Sequence, residues 1–244
     1  MYSCRNGERF WLPHGYRENA ANRTRERPGI EYWTRRRVKA AYQYQWYVYQ
    51  WASELCRERG FRYVADVGCG PGIKSARLLG EHVDKVTYID QESAIAYCRL
   101  NHPGAEYIVE DLEEWEVAPS GPFDLVICCD VIEHLNNPVA LLRYLSRLGC
   151  GAPTYLISTP DRDRLRGPGV LSCPNPAHIR EWSADEFVSF LAANGFVALE
   201  KRWYPPVKVG LNVLTLRHAA RQCLPGRRWR YNFAVLCRFD GDAS

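Results

Sequence analysis

From Tyr63 onward, short apolar runs and helix-length amphipathic stretches take turns along the chain. Residues 63–67 are apolar or β-branched except for Asp66, and the run stops at Gly68, Gly70 and Gly72. Such a run ending in glycines reads as a buried strand meeting a tight turn. The pattern then predicts a helix over 73–81, a strand over 85–90, a helix over 92–101 and a strand over 106–109. A strongly apolar strand follows over 123–130, then a helix over 138–148 and a strand over 154–159. Ser183 followed three residues later by Glu186 is a capping box, so a helix is expected over 183–194, with Gly195 as its C-terminal cap. Residues 196–203 and 231–239 supply two closing strands. Strand–helix alternation headed by a glycine turn predicts an α/β protein, with a doubly wound, mostly parallel seven-stranded sheet and helices on both faces.

Ahead of this region the pattern is different. Residues 1–30 are rich in Arg, Asn, Gly and Glu without a clear period, and an irregular or mobile arm is expected. No Gly or Pro interrupts residues 31–59, which suit one long helix. Its aromatics (among them Tyr42, Trp46, Tyr49 and Trp51) occupy more than one face. They suit either packing against the domain or the wall of a lid. The expected organisation is an arm and aromatic helix over 1–59 and one α/β domain over 60–244, with a basic insertion over 204–230 before the last strand.

Charge sharpens this division. Residues 1–40 carry ten Arg/Lys against four Glu, although the whole chain is only +4. A second basic run, 217–230, has five arginines and no acid. Both suit solvated surface, or a face for an anionic acceptor. There is no run of about twenty apolar residues and no charged-then-apolar leader, so a soluble, cytoplasmic protein that does not engage a membrane is expected. The ten cysteines form no Cys-x-x-Cys pair, and Cys128 and Cys129 would point to opposite faces of a strand; buried reduced thiols are expected.

The chemistry starts at the glycine turn. A dinucleotide fingerprint is Gly-x-Gly-x-x-Gly, whereas Ile73 stands where its third glycine would be. Asp66, two residues before the first glycine, would suit a cofactor bearing a positive charge. Asp90 closes the next predicted strand, where a carboxylate can accept from both hydroxyls of a ribose. Asp111-Leu112 follows the third strand, an acid for an amino group and an apolar neighbour for a ring.

With Asp66-Val67-Gly68-Cys69-Gly70-Pro71-Gly72, Tyr88-Ile89-Asp90, Glu110-Asp111-Leu112, Phe123-Asp124-Leu125-Val126 and Asp130-Val131-Ile132-Glu133-His134-Leu135, the chain resembles the class I S-adenosylmethionine-dependent methyltransferases, in particular the branch of the ubiquinone-biosynthesis O-methyltransferases. The resemblance runs from about Tyr63 to Gly195 and implies a Rossmann-like methyltransferase fold with S-adenosylmethionine as cofactor. It implies that Gly68 and Gly70 line the methionine part, that Asp90 holds the ribose and that Asp111 contacts adenine. The expected cofactor-binding set is Asp66, Gly68, Cys69, Gly70, Gly72, Asp90, Gln91, Asp111, Leu112 and Asp130.

A hydroxyl acceptor needs its proton removed, which asks for a base or a metal ion. His134 and His178 are the expected catalytic residues. Asp130, Glu133 and His134 would share one face of a helical turn and are the expected ligands if a divalent metal is used. Some quinone and small-RNA methyltransferases resemble this with Glu-x-x-Glu-His, where this chain has the shorter Asp130. His178 is expected as base, as a further ligand, or as a brace of its loop. The expected reaction is O-methylation of a small-molecule hydroxyl, such as a sugar or natural-product intermediate. RNA 2′-O-methylation is a less favoured alternative, and a cofactor-binding partner subunit without activity is a third.

Overall fold

A computed structural model describes residues 9–20, 32–149, 151–211, 213–221 and 226–241. Seven strands form one sheet: β1 (Tyr63–Val67), β2 (Lys85–Asp90), β3 (Glu106–Val109), β4 (Leu125–Cys129), β5 (Thr154–Pro160), β6 (Phe196–Tyr204) and β7 (Asn232–Phe239). Their order is β3-β2-β1-β4-β5-β7-β6. The first five run parallel, and β7 inserts antiparallel to both β5 and β6. Strands β1, β4 and β5 are almost wholly buried, as strands covered on both faces must be. The strand order reverses between β1 and β4, so a crevice opens beyond the carboxyl ends there. The glycine turn, Asp90, Asp130 and Thr159 all sit at that end.

The helices are α1 (Arg35–Gln43), α2 (Trp46–Arg59), α3 (Ile73–Leu78), α4 (Glu92–Asn101), α5 (Pro138–Arg147), α6 (Arg162–Arg166), α7 (Ala184–Ala192) and α8 (Val213–Arg221). The sheet separates two apolar cores. One gathers Val67, Cys128, Leu141, Phe187 and Phe233; the other gathers Trp51, Leu55, Val64, Cys129 and Ala234. Cys128 and Cys129 thus face opposite cores, as period-two alternation requires. The seven cysteines among the described residues are all buried free thiols; Cys4, Cys150 and Cys223 lie outside them.

Two expectations about the N-terminal region change. The single helix over 31–59 is two, because Tyr44 is extended and Gln45 takes a left-handed φ of 53°. The break is held from outside: the Gln45 N–H donates to Pro206 O, and its side-chain amide donates to Asp130 at 2.6 Å. Beyond the break, α2 buries Tyr49, Trp51 and Leu55 against the sheet, which favours packing for its aromatics. The described part of the arm, residues 9–20, is packed as well. Phe10 and Leu12 are buried, and the Trp182 indole donates to Phe10 O at 2.9 Å.

The capping box of α7 is present, with the Glu186 N–H on the Ser183 hydroxyl and the Ser183 N–H on the Glu186 carboxylate. Two helices escaped the pattern. Helix α6 is only five residues long, and α8 lies in the basic insertion before the last strand, for which no element was assigned.

Candidate active site

The glycine turn is tied internally. Gly68, Gly70 and Gly72 all have positive φ. The Gly68 N–H donates to Ile89 O, the Gly72 N–H to Cys69 O, and the Gly70 N–H to Asp90 Oδ2 at 2.7 Å. The other Asp90 oxygen accepts the Gln91 N–H at 2.7 Å. The two bonds fix both Asp90 oxygens against the turn and the start of α4. The N–H groups of Gly68, Gly70 and Gly72 are thus all used within the chain. A cavity of about 400 Å³, lined in part by Trp33, Lys39, Tyr42, Ile73 and Tyr97, borders the turn. The Trp33 ring lies against Gly70.

Asp66 departs from expectation. It is fully buried, and its two oxygens accept from the Tyr49 hydroxyl at 2.9 Å and from the Ser75 hydroxyl. Burial raises its pKa, against the opposing hydrogen bonds and the nearby Lys74. Lys74 is also buried, its pKa lowered by burial, and donates to Ala41 O at 2.9 Å. Asp66 is therefore an internal brace that joins β1, α2 and α3, and it does not reach the cofactor side. Leu112 is likewise drawn into the core, and the Cys69 thiol is buried and donates to Gly70 O. Asp111 turns one oxygen onto the Glu113 N–H, and Gln91 is the N-cap residue of α4.

Beyond β4 the chain makes the turn Ile132–His134. Asp130 has a φ of 52°, a strained value for a residue with a side chain. Its carboxylate is committed to Gln45 at 2.6 Å and Ser158 at 2.8 Å. The metal ligand set expected from the sequence therefore does not assemble, because Asp130 is held by those two donors. His178 takes its place: Glu133, His134 and His178 each offer a ligand atom within 4.8 Å of the others.

Each of these three groups is fixed by a neighbour outside the cluster. Glu133 is buried; one oxygen accepts from the Thr159 hydroxyl at 3.1 Å, while the other has no partner among the described residues. Burial first, then the Asp130 charge, pushes its pKa well up. His134 Nδ1 lies 2.6 Å from Ala177 O. A carbonyl only accepts, so Nδ1 carries the proton and Nε2 a lone pair. That Nε2 is 4.0 Å from the unpartnered Glu133 oxygen. Burial and then His178 lower the His134 pKa to about 4, which keeps the ring neutral. His178 Nδ1 is 2.8 Å from Glu181 Oε1. Burial raises the Glu181 pKa, but His178 and the two-pronged Arg166 contact at 2.7 and 2.9 Å override it and bring it to about 2. Glu181 is thus an acceptor, and His178 Nδ1 carries the proton of that contact. The two rings meet edge to face with centroids 4.8 Å apart.

The fold and this glycine turn define a Rossmann-like methyltransferase domain, with His134 just beyond β4 and His178 in the loop between α6 and α7. The methyltransferase-domain family matches residues 32–201, more than half of the chain, and the chain belongs to that family. It carries a class I S-adenosylmethionine-dependent methyltransferase domain. A Mycobacterium tuberculosis protein named "Probable S-adenosylmethionine-dependent methyltransferase" is 34% identical over 151 residues, covering 62% of this chain and 53% of that protein. The ubiquinone biosynthesis O-methyltransferase of Bordetella avium is 34% identical over 119 residues, covering 47% of this chain and 49% of its own. The chain spans about half the length of the curated relatives it matches. The Burkholderia thailandensis 1,6-didemethyltoxoflavin-N1-methyltransferase, solved with 1,6-didemethyltoxoflavin and S-adenosylhomocysteine, shares the fold with a TM-score of 0.56, at 18% identity over 84% of this chain and 81% of that one.

Sequence reasoning missed Glu181, Arg166 and Gln45. Only Glu181 left a local signal, three residues after His178. The others reach the site from distant elements.

Proposed function

We propose that this protein transfers the methyl group of S-adenosylmethionine to a hydroxyl of a small molecule, with a divalent cation held by Glu133, His134 and His178. The observation that carries this reading is the meeting of one unpartnered buried carboxylate oxygen, on Glu133, with the imidazoles of His134 and His178. Each histidine has its Nδ1 fixed by an outer acceptor, Ala177 O or Glu181, the arrangement that orients imidazoles toward a metal ion. The donor set of one carboxylate and two imidazoles suits a first-row divalent ion. The name of the Bordetella avium relative supports an oxygen acceptor.

S-adenosylmethionine supplies an activated methyl group, and a divalent ion supplies a Lewis acid that lowers the pKa of a hydroxyl. Asp90 would bind the ribose hydroxyls, while Glu133, His134 and His178 would hold the ion and the acceptor oxygen opposite the donor. The cofactor would supply its methyl carbon to the acceptor oxygen, leaving the electron pair of the broken carbon–sulfur bond on sulfur. The hydroxyl proton leaves to solvent.

Formation of S-adenosylhomocysteine from S-adenosylmethionine should be measured across a panel of catechols, polyols and sugars, with and without chelator. We expect turnover with at least one hydroxyl acceptor, lost with chelator and restored by a divalent ion. Turnover indifferent to chelator would remove the ion from this reading. Cofactor binding without turnover of any acceptor would instead support a silent partner subunit.

A further inference from the structure

The loop that carries His178, residues 167–183, joins α6 to α7 with no helix or strand of its own and contains two glycines and three prolines. A segment of this length loses its position unless something fixes its backbone. The fixing comes from the opposite end of the chain. The side-chain amide of Asn19 donates to three carbonyls of this loop: Cys173 O at 2.9 Å, Asn175 O at 3.0 Å and His178 O at 2.7 Å. The Asn19 N–H adds a fourth bond, to Ile179 O at 2.8 Å.

Its neighbours continue the seam. The Arg17 N–H donates to Leu171 O, and the Tyr16 hydroxyl accepts the Glu181 N–H at 2.8 Å. Glu18 accepts from Arg180 Nε at 2.5 Å, and the same guanidinium donates to Leu135 O and Asn136 O. The Ile179 N–H closes the seam on Glu133 O at 2.8 Å. The segment 16–19 therefore fixes the His178 loop and, through Arg180, the loop that bears Glu133 and His134.

We propose that Asn19 is a positioning residue for this site: by gathering the carbonyls of Cys173, Asn175 and His178, it sets the His178 imidazole on Glu181 and opposite His134. Asn19 suits this because its amide nitrogen carries two N–H donors, one of them shared between two carbonyls, and the three groups it faces only accept. This rests on the role given to His178 above. It makes the N-terminal segment, rather than the α/β domain alone, part of the acceptor side.

The test compares the full chain with Asn19→Ala, Asn19→Asp and, as a stability control, Leu145→Ala, which trims a buried α5 side chain of the core. Nitrogen-15 NMR of the histidine rings reads the tautomer of His178 without any need for turnover. Calorimetric titration with Co²⁺ reads the affinity of the three-ligand set. The expected result is a fixed Nδ1–H tautomer in the parent and a mixed tautomer in both Asn19 variants. Co²⁺ affinity should fall by about 10–100-fold in those variants. Leu145→Ala should lower the thermal midpoint and leave the His178 signals as in the parent. The proposal is overturned if the Asn19 variants keep the parental tautomer, if Leu145→Ala disturbs His178 equally, or if the parent itself shows no fixed tautomer. A parent that binds no Co²⁺ counts against the divalent-ion reading, while the tautomer comparison still decides the role of Asn19.

Discussion

Gln45 and Asp130 both hold left-handed backbone, with φ of 53° and 52°, and their side chains are joined by a 2.6 Å hydrogen bond. One residue breaks the N-terminal helix and the other ends β4, so the bond ties two strained points together across the crevice. Non-glycine residues in this region of φ/ψ cost of order 1 kcal/mol or more each, and they persist where the surroundings hold them.

Two substitutions at position 45 separate the bond from the strain. Gln45→Ala loses the bond to the half-buried Asp130 carboxylate and keeps the strain, with an expected stability loss of about 1–3 kcal/mol. Gln45→Gly loses the same bond but relieves the backbone, so it should be less destabilised than the alanine variant. Urea unfolding of both checks the order. An alanine variant as stable as the glycine variant would mean that the left-handed turn carries no strain.

At Gly68 the φ is 69°, and an added Cβ would come within 2.2 Å of Val131 Cγ2. Gly68→Ala should therefore be strongly destabilised, by about 2–4 kcal/mol, from backbone strain and overlap together. Adding Val131→Ala should recover only the overlap share. Full recovery by the double variant, measured by thermal unfolding, would show that the backbone conformation costs nothing.

Asp90→Ala removes the acceptor for the Gly70 and Gln91 N–H groups together with the ribose partner. Its affinity for S-adenosylhomocysteine should fall by about 10–100-fold in calorimetry, as expected for losing charge-assisted hydrogen bonds. Asp90→Asn keeps one acceptor oxygen and should retain more affinity than the alanine variant. Parental affinity in Asp90→Ala would place the ribose elsewhere.

Acid should weaken the fold in a defined window. His134 has an ordinary pKa of 6.5 and is pushed to about 4 in the folded chain. Between those values the unfolded chain binds a proton that the folded chain refuses, so stability falls as pH drops from 6.5 toward 4. Glu181, depressed from 4.5 to about 2, extends the loss further into acid as its ionised form is protonated. For His134, which keeps some solvent contact, the effect is about 1–3 kcal/mol. Urea unfolding at pH 7 and 4.5 should show this drop, and His134→Gln should reduce it. An equal drop in that variant would assign the acid sensitivity to other groups.

The sheet was legible because its signals are local. Apolar runs of strand length, separated by helix-length stretches, survive in any compact arrangement that covers both faces of a parallel sheet. The capping box of α7 was legible for the same reason, since Ser183 and Glu186 satisfy each other within one turn. The break at Tyr44–Gln45 was not. No Gly or Pro marks it, and its support comes from Pro206 and Asp130, which only folding brings near.

The same division runs through the site. The sequence alone determined that a glycine turn, Asp90 and the Asp130–His134 segment stand at successive strand ends, because strand register carries those positions directly. Only the tertiary structure decided how each carboxylate is used. Asp66 turns inward to Tyr49 and Ser75, and Asp130 turns to Gln45 and Ser158. His178 joins Glu133 and His134 in their place. The physical reason is that a buried carboxylate goes to the nearest donors that can offset its desolvation, and those donors come from helices and loops distant in the chain.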